Sequence, residues 1–269
     1  MEWTVTAFEN RYLDQLDRLP PEEWQSNAYD LFMYNDWQPW FHAYQVVDGQ
    51  KLVGFGMLFH FEDVAWLGWI VVDKKYRAKG IGSSISKHLV TESLRLGADK
   101  LILTATELGY PIYEKLGFKT TSYYHFLSAP TQYRPLFDRS KIRQAVKSDL
   151  NAIWQLDKQA TGENRTTLLE SHLENTVVYS DSTIEGFFIE SLGDGFIVAS
   201  KAEAGENLMN FRLKKNKNKV AIPDGNTELL KSLKLNGFTE TAKIPRMTLG
   251  TKPNWNPAMI YNRGSGYCG

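Results

Sequence analysis

The run Val71-Val72-Asp73-Lys74-Lys75-Tyr76-Arg77-Ala78-Lys79-Gly80-Ile81-Gly82-Ser83 sets a basic, glycine-containing turn between an apolar stretch and a helical pattern. A chain entering a helix this way leaves several N–H groups without an intrahelical acceptor at the positive end of the helix dipole. Such an array suits a phosphate or pyrophosphate. Gly80 and Gly82 let backbone approach that group without a Cβ in the way, and Arg77 and Lys79 bring positive charge. Two other phosphate cradles are excluded. The third glycine of the dinucleotide fingerprint is missing and the preceding strand belongs to an antiparallel run, and no Gly-Lys-Ser/Thr closes the turn. The second half of the chain offers a contrast. After Phe196-Ile197-Val198-Ala199 comes Ser200-Lys201-Ala202-Glu203-Ala204-Gly205-Glu206, with a single glycine and two acids where phosphates need amides and positive charge. One cradle per chain is expected. The Lys214-Lys215-Asn216-Lys217-Asn218-Lys219 run reads as a solvated helix end or loop.

These residues need elements to position them. Residues 3–8 alternate as a strand, and Asn10 reads as the cap of a short helix carrying Tyr12, Leu13, Leu16 and Leu19, stopped by Pro20-Pro21. Pro21-Glu22-Glu23-Trp24 looks like a second helical start. Residues 41–47, the turn Asp48-Gly49 and residues 51–59 give a hairpin signal, and residues 64–72 complete an antiparallel set. The period changes from two to 3.6 over 80–96, with Ile81, Ile85 and Leu89 on one face and Gly97 as the stop. A buried strand at 101–104, a short helix at 109–116 and a strand at 118–127 follow. The polar run from Ser128-Ala129-Pro130 to Arg139-Ser140 reads as a linker.

Beyond the linker the order repeats: a strand at 141–146, a helix capped by Ser148, a helix at 165–173, and strands at 177–179, 184–189 and 196–199. A helix around Leu208, Met209 and Leu213, a strand at 220–222, a helix at 227–235 and a long strand at 238–249 complete it. The junctions Glu114-Lys115-Leu116-Gly117-Phe118 and Leu233-Lys234-Leu235-Asn236-Gly237-Phe238 fall at matching places, which implies a duplication. A single strand fits between Gly117 and the linker, which leaves room for a further strand of the first sheet to be borrowed from the second half.

Composition bounds the function classes. The 269 residues carry 31 Lys+Arg and 31 Asp+Glu, so charge gives no reason to expect nucleic acid or an anionic membrane as partner. With 42% hydrophobic and 23% charged residues the chain is too apolar to be disordered, and its length allows one large domain or two modest ones. The sole cysteine, Cys268, excludes an intramolecular disulfide and a cysteine metal cluster. Neither a leader nor a membrane-spanning run is evident, so a cytoplasmic protein is expected. Aromatic residues reach 13%, and six of the eight tryptophans lie in the first 69 residues.

At Arg77-Ala78-Lys79-Gly80-Ile81-Gly82 the chain resembles the GNAT superfamily of acyl-CoA-dependent N-acetyltransferases, whose signature runs Arg or Gln, two residues, Gly, one residue, Gly or Ala. The family's second block, a short helix with a tyrosine ahead of Gly-Phe, is similar to Thr106-Glu107-Leu108-Gly109-Tyr110-Pro111-Ile112-Tyr113-Glu114-Lys115-Leu116-Gly117-Phe118. The resemblance covers residues 1–127, and residues 140–269 look like the degenerate GNAT-like domain of YitH-like bacterial acetyltransferases. It implies an α/β (α+β) fold of two tandem GNAT-like domains, each a mixed, mostly antiparallel sheet flanked by helices. Residues 1–130 would form the catalytic, acetyl-CoA-binding domain, and residues 140–269 a degenerate domain serving structure, dimerisation or substrate selection.

The activity so implied is acetyl-CoA-dependent transfer of an acetyl group to a primary amine of a small molecule, by direct attack on the thioester. Ile70, Val71 and Val72 on a splayed fourth strand would pair with pantetheine. Arg77, Ala78, Lys79, Gly80, Ile81, Gly82 and Ser83 would hold the pyrophosphate, and Thr106, Gly109 and Tyr113 would touch the cofactor. A strand N–H polarises the carbonyl, and Tyr113 protonates or hydrogen-bonds the leaving sulfur. Two features depart from the family pattern. Thr106 stands where many relatives have asparagine, and residues 65–72 carry no titratable side chain where several relatives place a glutamate. The base would then be water, His60, Glu62, Asp63 or Asp36.

In the resembling fold residues 24–44 form one wall of the acceptor site. Here they hold Trp24, Tyr29, Phe32, Tyr34, Trp37, Trp40, Phe41 and Tyr44 among Asn27, Asp30, Asn35 and Asp36. Such a wall suits a small amine with an apolar or planar group, with Trp37 and Trp66 as candidate contacts. The stretch reads equally well as packing over the sheet. Two other readings remain: a non-catalytic acyl-CoA-binding sensor, for which the missing strand base speaks, and a protein or peptide N-acetyltransferase with an open groove. No metal, nucleic acid or membrane is expected as partner, and a homodimer is left open.

Overall fold

The computed structural model describes residues 3–21, 32, 38–215, 217–266 and 268–269. In chain order the first half comprises β1 (Thr6–Ala7), a 3-10 helix (Asn10–Arg18), β2 (Phe41–Asp48), β3 (Lys51–Phe61), β4 (Val64–Val72), a 3-10 turn (Lys74–Tyr76), α1 (Ile81–Arg95), β5 (Lys100–Thr104), α2 (Tyr110–Lys115) and β6 (Lys119–Ser128). The second half comprises β7 (Ile142–Gln144), α3 (Leu150–Thr161), α4 (Thr166–Ser171), β8 (Thr176–Ser180), β9 (Ile184–Ile189), β10 (Phe196–Ala199), α5 (Ala202–Lys214), β11 (Lys219–Pro223), α6 (Thr227–Leu235), β12 (Thr239–Gly250) and β13 (Ile260–Asn262).

Two compact units form, Met1–Lys119 with Met247–Lys252, and Thr120–Arg246 with Pro253–Gly269. In the first, β1, β2, β3, β4 and β5 lie side by side and the end of β12 follows β5. The strand pairs from β1 to β4 are antiparallel, and β4 with β5 is parallel. A strand from the second half of the sequence thus completes the first sheet, and Met247 is fully buried in that unit's core with Leu101, Leu103 and Phe118. Two glycines of β3 decide how α1 docks. A Cβ on Gly54 would lie 2.6 Å from Ile81 Cγ2, and one on Gly56 would lie 2.6 Å from Ile85 Cγ2. Without those side chains α1 closes directly onto the sheet, its first residue packing against β3.

In the second unit β13, β10, β9, β8 and β7 form an antiparallel sheet, and the start of β12, β6 and β11 are neighbours in that order. α5 packs on it through Ala204, Leu208, Met209 and Leu213. The polar run after β6 is not a free linker. Tyr133 and Phe137 pack against this unit's core, Tyr133 Oη donates to Asn210 at 2.8 Å, and Asp138 N donates to Asn207 at 2.7 Å. By packing, the two units part at residues 119, 246 and 252.

Smaller expectations are also corrected. Residues 10–18 form a 3-10 helix that follows Glu9, with no side-chain cap from Asn10. The turn before α3 is closed not by Ser148 but by Asp149, whose carboxylate accepts from Val146 N at 2.8 Å and pairs with Arg143 at 2.6 Å. The helical start expected at residues 21–24 lies outside the described residues, apart from Pro21.

Candidate functional site

β4 behaves differently at its two ends. Its ladder with β5 consists of Val64↔Lys100, Ala65↔Leu101 and Trp66↔Ile102, and stops there. From Leu67 onward β4 runs on against β3 alone among the described residues. Between Phe55↔Val71 and Met57↔Gly68, β3 spends one residue and β4 two, so β4 bulges at Trp69, whose φ is 50°. A bulge bends a strand and re-aims its backbone donors. Ile70, Val71 and Val72 thus lie just beyond a bend, on the edge that β5 has left.

The strand then enters the basic turn. Asp73 Oδ1 accepts from Lys75 N at 2.8 Å, and Arg77 Nε donates to Val72 O at 3.3 Å. Ala78 at φ 61° and Gly80 at φ 87° are both left-handed, and Gly80 stands immediately before α1. A Cβ at Gly80 would meet nothing within 4 Å, so this glycine is required by its φ and the space above it is open. Helix geometry leaves the N–H groups of Ile81, Gly82 and Ser83 without an intrahelical acceptor, beside the exposed Arg77 and Lys79. The arrangement fits an anionic phosphate group.

Tyr113 on α2 lies in the same unit, 8% exposed, edge-on to Phe118 at 6.0 Å. A Cβ on Gly109 would come 2.8 Å from its ring, so Gly109 makes room for the phenol. Burial pushes the Tyr113 hydroxyl up to about 12. The Thr106 hydroxyl accepts from Gly109 N at 3.2 Å and so shapes this turn.

The remaining candidates fare differently. Trp66 is 1% exposed, a core side chain opposite Phe59 rather than part of an exposed wall. Trp37 and Asp36 lie outside the described residues. Of the wall residues that are described, Phe32 packs on Phe8 and Phe41, and Trp40 on Phe59. Asp63 is ion-paired with Lys100, and Glu62 occupies the β3–β4 turn at φ 53°. His60 lies on the face of the sheet that α1 covers, and its Nε2 is buried without a hydrogen bond, as are those of His42 and His88. Burial holds His42 and His88 below the usual imidazole range. No titratable side chain stands on β4 itself. The bulge was not read from sequence, although Gly68 inside a strand is the kind of residue that marks one. No group of three or more His, Cys, Asp or Glu fit for a metal is found among the described residues, and no helix there is long and apolar enough to cross a membrane.

An acetyltransferase (GNAT) family model matches residues 9–118, and a second acetyltransferase (GNAT) domain model matches residues 153–262. The chain belongs to the GNAT acetyltransferase family. It is a tandem GNAT N-acetyltransferase, one domain model falling in each half. It is similar to an uncharacterized N-acetyltransferase, YitH, of Bacillus subtilis, 26% identical over 220 residues that cover 76% of each chain. A local match to a glucosamine 6-phosphate N-acetyltransferase of Trypanosoma brucei brucei is 42% identical over 60 residues, 22% of this chain and 37% of that protein. Among solved structures, a putative acetyltransferase of Pyrococcus horikoshii aligns with a TM-score of 0.84 and 20% identity, over 100% of this chain and 96% of that one. The GNAT fold therefore extends over both halves.

Proposed function

We propose that this GNAT enzyme uses acetyl-CoA and acetylates the primary amine of a small molecule. The observation that carries the reading is the edge of β4, released by β5 after Trp66, bent at Trp69 and leading into the amides at the start of α1. Pantetheine would pair with Ile70, Val71 and Val72. The phosphates would be held by the turn and helix start, through Arg77, Ala78, Lys79, Gly80, Ile81, Gly82 and Ser83, with Thr106, Gly109 and Tyr113 on the other side. Acetyl-CoA supplies a thioester whose acyl carbon passes to the amine nitrogen as the C–S bond breaks. Backbone N–H groups next to the bulge would polarise the acyl oxygen.

Tyr113 is assigned a narrower role than sequence allowed. A phenol held at about 12 keeps its proton more tightly than an ordinary thiol near 8.5, so it serves the departing sulfur as a hydrogen-bond donor rather than by giving up its proton. With Asp63 engaged by Lys100 and the Nε2 of half-buried His60 closed off, this reading assigns the amine's proton to solvent. The small-molecule acceptor is supported by the local likeness to a glucosamine 6-phosphate acetyltransferase. Calorimetry with CoA, followed by acetyl-transfer assays on a panel of amines that includes amino sugars and lysine peptides, tests this. One CoA bound per chain and turnover on a small amine are expected. Absence of CoA binding, or transfer only to peptides, overturns it.

A further inference from the structure

We infer that Tyr76 is a positioning residue for the acyl donor, holding the phosphate turn in its binding shape from outside through Asp48 and Lys79. This rests on the reading above, that the turn receives the donor's phosphates. Tyr76 Oη donates to Asp48 Oδ2 at 2.8 Å, and Asp48 ends β2 at the hairpin turn. Lys51 Nζ and Lys79 Nζ lie 5.0 and 4.8 Å from the centre of the Tyr76 ring, both within cation–π reach. Trp3 meets the ring edge-on at 6.2 Å, and its Nε1 donates to Lys79 O at 2.8 Å. Lys51 also pairs with Asp73 at 2.7 Å. The turn is therefore tied at Asp73, Tyr76 and Lys79 to the β2–β3 hairpin and to the residues before β1.

Such ties matter because the turn is not self-sufficient. It contains two left-handed residues, one of them Ala78, a conformation that a side chain disfavours. A segment of this kind has many competing shapes, and ordering it on arrival of the ligand would weaken binding. The hydroxyl of Tyr76 fixes the ring, and the ring fixes the ammonium of Lys79. The bond to Asp48 also holds the Tyr76 hydroxyl above its ordinary range.

The experiment compares acetyl-CoA with acetyl-pantetheine, which lacks the pyrophosphate, in the full-length enzyme. Tyr76→Phe should raise KM for acetyl-CoA and Kd for CoA by about threefold to tenfold, the loss of one hydrogen bond, with kcat unchanged. Its kcat/KM for acetyl-pantetheine should not move. Asp48→Ala should match Tyr76→Phe, and the double variant should be no worse than either, since both remove the same bond. Asp48→Asn, which keeps a carbonyl acceptor, should restore the wild-type KM. Tyr76→Ala should exceed Tyr76→Phe because Lys79 loses its platform. An unchanged acetyl-CoA KM in Tyr76→Phe, or an equal loss with acetyl-pantetheine, overturns the inference. If wild type binds CoA and Gly80→Glu does not, such a result leaves the donor reading standing; if wild type binds no CoA, that reading falls first.

Discussion

The two GNAT units each carry a strand followed by a helix at the same place in the plan, and they treat the free edge of that strand in opposite ways. In the first, β4 leaves β5 after Trp66 and reaches the helix through the left-handed Ala78 and Gly80. In the second, β10 is covered by β13, with Ile197 opposite Asn262 and Val198 opposite Ile260. The Asn262 side chain donates to Gly195 O at 2.6 Å and accepts from Ala221 N at 2.8 Å, so this short strand bridges β10 to β11. Tyr261 lies so close over Gly205 that a Cβ there would be 2.4 Å from its ring. An unpaired strand edge has to be satisfied by something. Among the described residues the first unit leaves this edge uncovered beyond Trp66, where the proposed function seats the donor, whereas the second fills it with β13.

The sharpest way to break this contrast is to put the same charge in both units. Gly80→Glu should weaken CoA binding by about a thousandfold, because a carboxylate would occupy the anion's place at a position that also needs φ 87°. Lys201→Glu, at the residue before α5, should leave the affinity within about twofold. Calorimetry reads both, and retention of CoA by Gly80→Glu would collapse the comparison.

The filled cleft can be attacked next. Asn262 is fully buried, and Asn262→Ala leaves Ala221 N and Gly195 O without their partner, for a loss of about 3 kcal/mol in urea unfolding. CoA stoichiometry should remain one per chain. A rise to two would mean that the second cleft is a latent donor site rather than a closed one.

Acid should weaken both units through different imidazoles. Burial holds His172 of the second unit down at about 4, and its Nδ1 lies 2.7 Å from Ser191 Oγ. The unfolded chain takes up this proton below about pH 6.5 and the folded one does not until about pH 4. Stability is therefore full above pH 6.5 and falls as pH drops between those values, by about 2 kcal/mol at pH 5 from this group alone. His42 and His88 of the first unit are lowered as well and act with the same sign. Unfolding at pH 7 and pH 5 checks the slope, and His172→Gln should shrink the difference by about 2 kcal/mol. An unchanged difference would show that the fold takes up the His172 proton as readily as the unfolded chain does.

What the sequence made legible was local. The hairpin 41–61, the helix after Gly80 and the change of period between them were all readable because their signals lie within a few residues. The crossing of β12 into the first unit was legible only as a shortage, one strand too few before the linker. β13 went unseen, since three residues with no turn signal of their own are placed by pairing partners more than 60 residues away. The packing of Tyr133 and Phe137 was hidden by the polar residues around them. The proposed donor site was legible where chemistry and backbone coincide, at Gly80 and Gly82, and illegible where it depends on register, at the Trp69 bulge and the Tyr76–Asp48 bond.

The smallest of these effects bears on catalysis itself. At the place of Tyr113, five residues before the phenylalanine of Gly-Phe, the second unit has Leu233, buried in its core. Both side chains fill a helix face, so the hydroxyl is what the first unit adds. Tyr113→Phe keeps the ring against Phe118 and Gly109 and removes the donor alone. If that donor acts as the thiolate departs, kcat should fall by about tenfold while KM for acetyl-CoA and the melting temperature stay put. The loss should also be flat across pH 6–9, because a hydroxyl at about 12 does not titrate there. A tyrosine serving only as packing would leave kcat unchanged in the phenylalanine variant, and the two units would then differ in donor binding but not in any residue of the transfer step.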